Sequence, residues 1–281
     1  MSPARRRHLE ISQMVLYAVL LIIALIYIFP FLIQLSTMFK TEADANTDPL
    51  GLIPPTWTAA ALTRLFLHSD FPRWFMNSVI VTVCVTIGRV FFDSLAGYAL
   101  ARLHFRGRNV IFAGLVGVMS VPMAVLLIPK FLIIKQLGLY DTYGGMILPL
   151  LVDAAGVFIM KNFFESVPVA VEESARMDGA NTFQVFWHVV LPMATPALIT
   201  ITILSFQGSW NELAHFIISA QSPALATLTK GVAQLAAGAL GAATQYPLKL
   251  AAATIMTIPV VIIFFIFQKR IMNIGSGAVK E

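Results

Sequence analysis

Trp210, Asn211 and Glu212 stand side by side in an otherwise apolar run. An aromatic face with an amide and a carboxylate beside it is the set of groups that holds a sugar by stacking and hydrogen bonding. The same residues have a second reading, in which Asn211 and Glu212 satisfy backbone groups freed by a helix break near Gly208. Gln207 and Ser209 are weaker candidates. Arg89 and Asp93 are four residues apart in another apolar run, a spacing that pairs opposite charges on one helix face. Asp153 has no obvious local partner and is read as facing water or a second chain, with a proton relay as the sharper, weaker idea. Bond-making chemistry is not expected. The sequence carries no nucleophile elbow, P-loop or Walker lysine. His8, His68, His104 and His215 lack metal-ligand spacing, and His188 is read as interfacial.

These residues sit in a chain made for lipid. Of its 281 residues, 58% are hydrophobic and 12% charged, against roughly 25% charged in soluble domains. Mean hydropathy is +0.82. Six apolar runs can each cross a bilayer, which takes roughly 20 residues. They cover about 14–36, 74–100, 110–134, 143–164, 193–220 and 247–267. The expected fold is an all-α, six-span membrane protein forming one transmembrane domain over 1–281. Short alternating segments, the mark of a β-barrel, are absent from the sequence. The first run is too long for a cleaved signal peptide and is read as an uncleaved span. Arg5, Arg6, Arg7, Arg102, Arg106, Arg108, Lys161, Arg176, Lys269, Arg270 and Lys280 put both termini and loop two–three on the cytoplasmic side. The single cysteine, Cys84, is expected to be a packing residue.

The connection at 165–192 is long and polar. Pro168 suits a first helical turn, with Ser166 as its cap. Val169 to Met177 then forms a short helix carrying Glu172 and Glu173, with Arg176 three residues beyond Glu173. Gly179 ends it in the left-handed conformation. Asn181 or Thr182 caps a second helix that carries Phe183, Val185, Phe186, Val189 and Val190. Helices that lie on bilayers favour Lys and Arg, whereas this one is acidic, so docking of a partner is favoured over lying on lipid. The small pair Ser174–Ala175 lets another surface approach closely.

The spacing Glu173-Ser174-Ala175, three residues, Gly179, nine residues, Val189-x-Leu191-Pro192 resembles the EAA motif of ABC-importer permeases, with Ser174 for the first Ala and Val189 for the usual Ile. The chain is similar nearly throughout to the carbohydrate-uptake, MalG-like permeases. Phe29-Pro30-Phe31, Ser36, Phe39-Lys40-Thr41-Glu42, Asn77-Ser78, Tyr98 to Arg102 and Phe105-x-Gly107-Arg108 carry the likeness. So do Pro122, Pro129, Gly138-Leu139, Asp141-Thr142-Tyr143, Trp210-Asn211-Glu212 and the tail Gly275-x-Gly277-Ala278-Val279-Lys280.

The resemblance implies a non-catalytic transport subunit in the bacterial inner membrane. Glu173, Ser174, Ala175, Asp178, Gly179, Leu191 and Pro192 would form the hook held by a cytoplasmic ATPase, with Glu173 the acidic contact. Gly275, Gly277 and Lys280, in the tail 268–281, would reach the ATPase dimer. Partners would be a second permease, two ATPase copies and an extracytoplasmic solute-binding protein. This chain would bind no cofactor, and the ATPase would hold ATP and Mg. The expected cargo is a sugar. Glycerol-3-phosphate or a glycerophosphodiester is the alternative, for which Arg89 and Lys130 are the available cations. A stand-alone secondary carrier is the rival from another class.

Overall fold

The computed structural model describes residues 3–238 and 245–277. All regular secondary structure among them is helical. In chain order the helices are α1 Pro3–Thr37, α2 Glu42–Thr47, α3 Ala60–Leu67, α4 Phe71–Arg102, α5 Arg108–Met119 and α6 Met123–Gln136. Next come α7 Tyr143–Ile147, α8 Ala154–Ser166, α9 Val169–Met177, α10 Thr182–Gln184, α11 Leu191–Met193 and α12 Thr195–Trp210. The last are α13 Ala214–Ser219, α14 Leu228–Ala236 and α15 Tyr246–Gly277. A π-helical stretch, Val185–Val190, joins α10 to α11.

Among the described residues, four stretches are long and apolar enough to cross a bilayer: Gln13–Thr37, Phe71–Arg102, Tyr143–Ser166 and Tyr246–Gln268. Two bent pairs raise the count to six. Both bends interrupt runs that read as continuous in the sequence. α5 and α6 meet at 111° because Pro122, with no N–H to give, starts α6 where α5 has ended at Ser120. The helical run Thr182–Met193 turns through 81° into α12 at Ala194, and Pro196 lies in the first turn of α12. The fifth apolar run is further interrupted after Trp210, where α12 stops and α13 begins at Ala214. The sixth continues past Phe267 as helix to Gly277, so Gly275 and Gly277 lie in the last turn of α15. Lys280 lies outside the described residues.

Two compact units make up the chain. One comprises 1–71 with 232–258, the other 72–231 with 259–281. In the first, Lys40 is almost fully buried and its Nζ donates to the Asp48 carbonyl at 2.6 Å. Thr41 caps α2 through the Asp44 N–H, and Ser36 donates to the Gly51 carbonyl. These contacts give the Ser36 to Glu42 stretch a local structural duty. The side chains from Gln13 to Leu32 are exposed within the chain.

Among the described residues of the second unit lie two apolar cores. One gathers Tyr98, Met160, Phe164, Val185, Phe186, Val190, Ala194 and Ile201. The other gathers Val81, Val85, Met146, Leu150, Phe216 and Ala220. Helix α4 supplies residues to both. Its Gly97 lies so close to α8 that a Cβ there would stand 2.7 Å from Met160 Cβ and 2.9 Å from the Lys161 backbone nitrogen. Small residues of this kind let membrane helices meet backbone to backbone. Cys84, on the same helix, is exposed rather than packed: it lies on a different face from the one that meets the cores.

Polar side chains of α4 hold the loops. Asn77 donates to the Ala224 and Ala226 carbonyls, both at 2.9 Å, and accepts from the Tyr143 hydroxyl at 2.6 Å. Ser78 Oγ accepts the Leu228 N–H at 2.8 Å. Asp141 takes a positive φ of 58°, which an aspartate tolerates, and its carboxylate accepts the N–H groups of Gln221 and Ser222. The motif fragments Asn77-Ser78 and Asp141-Thr142-Tyr143 are therefore fasteners of the loop after α13.

Candidate functional site

The hook is built as two short helices around one turn. α9 starts after Pro168, which is its N-cap. Ser166 is not the cap: it ends α8, and its hydroxyl donates to the Phe163 carbonyl. Gly179 follows α9 with φ +89°, where a side chain is strained, and a Cβ there would meet nothing within 4 Å. Asn181 then caps α10, its carboxamide oxygen accepting the Gln184 N–H at 2.9 Å while the Gln184 side chain accepts the Asn181 N–H at 2.8 Å. This reciprocal box satisfies two helix-start donors at once.

The two adjacent glutamates of α9 have different fates. Glu173 is exposed. Glu172 is 3% exposed and is gripped from three sides. The Tyr98 hydroxyl donates to it at 3.1 Å, Arg102 Nε meets it at 2.8 Å, and Arg176 lies at 3.7 Å. Arg176 thus pairs with Glu172 rather than with Glu173, because four residues bring the side chains over one another on this helix and the Glu172 carboxylate lies inward. The exposed face of α9 is Ala170, Glu173, Ser174 and Met177, at i, i+3, i+4 and i+7. Ala175 is half-buried and packs on the core of Tyr98 and Phe186, and Ser174 Oγ donates to the Ala170 carbonyl. Met177 is 88% exposed, an apolar side chain on the open face of α9 that sequence reasoning passed over. Asp178 is exposed at the end of α9, and Leu191 packs against the core. Pro192 sits in the first turn of α11.

The candidate path residues divide. Trp210 is 2% exposed, stacked on Phe206 at 5.7 Å and edge-on to Phe75 at 5.8 Å. Its ring belongs to the core, so the four-residue spacing from Phe206 was the informative signal. Asn211 is exposed, and its Nδ2 donates to the Gln207 carbonyl at 3.0 Å. Glu212 accepts the His215 N–H at 2.8 Å, and its carbonyl accepts from Thr229. Both side chains serve the break between α12 and α13.

Arg89 and Asp93 do not form an ion pair among the described residues. Arg89 Nε donates to the Leu150 carbonyl at 2.7 Å, and a Cβ on Gly208 would sit 3.4 Å from Arg89 Nη1. Asp93 is fully buried and accepts the Asp153 N–H at 3.0 Å. Asp153 is the N-cap of α8, accepting the Gly156 N–H at 3.2 Å. Both charges are thus spent on the break in the fourth run between Leu150 and Ala154, where backbone groups have no helical partner. Lys130, half-buried on α6, lies within electrostatic reach of Glu212 and Arg89. No group of His, Cys, Asp and Glu among the described residues could hold a metal ion.

Residues 93–272 match the family of binding-protein-dependent transport system inner membrane components. The chain belongs to this family. As a permease it is a multi-pass protein of the bacterial inner membrane. It is 32% identical to the arabinooligosaccharides transport system permease protein AraQ of Bacillus subtilis (strain 168), over 92% of this chain and 93% of AraQ. It is also 32% identical to the polygalacturonan/rhamnogalacturonan transport system permease protein YtcP of the same organism, over 93% and 95%. The permease fold is that of a bacterial ABC transporter involved in the import of the acidic polysaccharide alginate. The TM-score is 0.83 at 27% identity, covering 96% of this permease and 98% of that chain.

Proposed function

We propose that this permease forms half of the translocation path of an ATP-driven importer for a saccharide, and that its hook couples the path to a separate cytoplasmic ATPase. One observation carries the coupling reading: α9 turns Glu173, Ser174 and Met177 outward while Glu172 is locked inward. An acidic, partly apolar face on a rigidly seated short helix suits insertion into a cleft of another protein, where Glu173 meets a cation. The hook and both termini face the cytoplasm in this reading, and Gly275, Gly277 and Lys280 approach the ATPase dimer. A second permease completes the path, and a solute-binding protein delivers cargo from outside. ATP and Mg are held by the ATPase. ATP binding draws the hooks together and turns the path outward, a rigid-body two-state switch.

The relatives' names support a saccharide as cargo, acidic for two of them. Lys130 favours the acidic case for this chain, because a half-buried cation in a membrane helix faces water or a charged partner. In this reading the path is lined from α12 by Gln207, Gly208 and Asn211, all exposed, and Trp210 supports it from behind. A secondary carrier would need an intramembrane acid free to titrate, and the Asp153 side chain caps a helix instead.

The experiment is uptake by vesicles holding this permease with its second permease and ATPase, driven by ATP inside or by a proton gradient. Labelled galacturonide and arabinose oligosaccharides, each presented on the solute-binding protein, serve as cargo. Uptake that needs ATP and ignores the gradient supports the importer. Gradient-driven uptake without ATP contradicts it. Uptake of only the neutral saccharide contradicts the acidic assignment.

A further inference from the structure

The carboxylate of Glu172 lies at the meeting point of three donors from two helices. Tyr98 and Arg102 come from the last turn of α4, and Arg176 from α9 itself. Arg102 makes a second attachment: its Nη2 donates to the Val167 carbonyl, in the two-residue joint between α8 and α9. One planar guanidinium therefore fixes both the beginning of the hook and its first helix. The Tyr98 ring sits between Phe164 of α8, at 5.7 Å, and Phe186 of the hook's return segment, at 5.1 Å. Every part of the hook that leaves or re-enters the bundle is thus fastened to the same end of α4.

The rest of α4 carries the fastening upward. Gly97 abuts the α8 backbone, Asp93 holds the Asp153 N–H, and Arg89 holds the Leu150 carbonyl with its Nη1 against Gly208. From Arg102 to Arg89 is 13 residues, about 20 Å of helix at 1.5 Å per residue. One uninterrupted helix thus joins the hook to the break in the fourth run and to the exposed face of α12. A surface ion pair would add little here, but breaking a buried one leaves an uncompensated buried charge, so this contact resists displacement.

We infer that the Tyr98–Arg102–Glu172 junction is the joint through which displacement of the hook is passed to α4 and on to the translocation face. Glu172 and Arg102 are positioning residues in this scheme: they touch neither nucleotide nor cargo. The inference rests on the proposed coupling of the hook to an ATPase. It assigns the two neighbouring glutamates opposite tasks, Glu173 gripping the ATPase and Glu172 gripping the permease. A lysine at position 102 would keep the charge and lose the fork that reaches two acceptors.

The test reads the translocation face directly and needs no cargo. In a Cys84→Ser background, Asn211→Cys places a thiol on that face. Its alkylation by a membrane-impermeant maleimide is timed in the assembled complex, nucleotide-free and trapped with MgATP and vanadate. The expected parent ratio between the two states is about fivefold or more, the lower bound of a typical coupling between sites. Arg102→Lys and Tyr98→Phe should bring the ratio toward one while the ATPase still co-purifies and still traps nucleotide. Tyr98→Phe removes a single hydroxyl and guards against an Arg102 variant that fails to assemble. Glu173→Gln should instead release the ATPase. A ratio unchanged from the parent in both junction variants would overturn the inference. A parent ratio near one would overturn the coupling reading beneath it, which separates the two failures.

Discussion

Replacing Gly179 distinguishes backbone geometry from contact with a partner. Gly179 has φ +89°, and an added Cβ would meet nothing within 4 Å inside this chain. The cost of a side chain is therefore the cost of the left-handed backbone alone, about 1–2 kcal/mol for an ordinary L-residue. Asparagine and aspartate tolerate this region best and β-branched residues worst. The expected order of damage is Val greatest, then Ala, then Asp and Asn. At ~2 kcal/mol the closed hook of Gly179→Val would lose population by about 30-fold relative to its alternatives. Amide hydrogen exchange over 169–190 in the purified complex measures this, with ATP-driven uptake scored in parallel. If Asn and Val damage uptake equally while exchange stays at parent levels, the turn argument is wrong. The glycine would then be needed for room against another protein.

Asn77→Leu leaves the Ala224 and Ala226 carbonyls and the Tyr143 hydroxyl without a partner, at about 1–3 kcal/mol for each buried group. The expected result is a lower thermal midpoint and a looser loop after α13, read by limited proteolysis. Gly97→Leu forces α4 and α8 apart, because its Cβ would lie 2.9 Å from backbone, at about 1–3 kcal/mol; loss of monodisperse protein on gel filtration checks it. Asp153→Ala removes a helix cap for about 1 kcal/mol, so a modest drop in melting temperature is expected with uptake unchanged between pH 6 and 8. Altered pH dependence would return Asp153 to a proton-carrying role. Trp210→Phe should lower stability while leaving the cargo concentration for half-maximal uptake as it was, since the ring packs between Phe206 and Phe75.

The architecture was legible wherever a local rule acts alone. Long apolar runs marked the membrane helices, Gly179 marked a left-handed turn, and Asn181 marked a cap. The all-helical fold and the permease likeness followed from these and from motif spacing. What stayed hidden was tertiary. Nothing local tells which of Glu172 and Glu173 turns inward, although Val171 and Ala175, four apart, border the buried side of α9. Trp210 reads as a stacking platform until Phe75, 135 positions earlier, closes over it. Arg89 and Asp93 have ion-pair spacing, yet each is recruited by backbone that the break in the fourth run leaves open. The sharp bends at Pro122 and Ala194 were invisible to hydropathy, which averages across them.

The most direct test of the central claim is composition and activity of the complex isolated from native membranes. A tagged chain is purified in mild detergent, its companions are identified by mass, and MgATP hydrolysis is measured with and without vanadate. The account predicts one copy of this permease, one of a second related permease and two of an ATPase, with vanadate-sensitive hydrolysis. Glu173→Lys should strip the ATPase from the preparation. Stable recovery of this chain alone, with no nucleotide hydrolysis and unchanged by Glu173→Lys, would contradict the account.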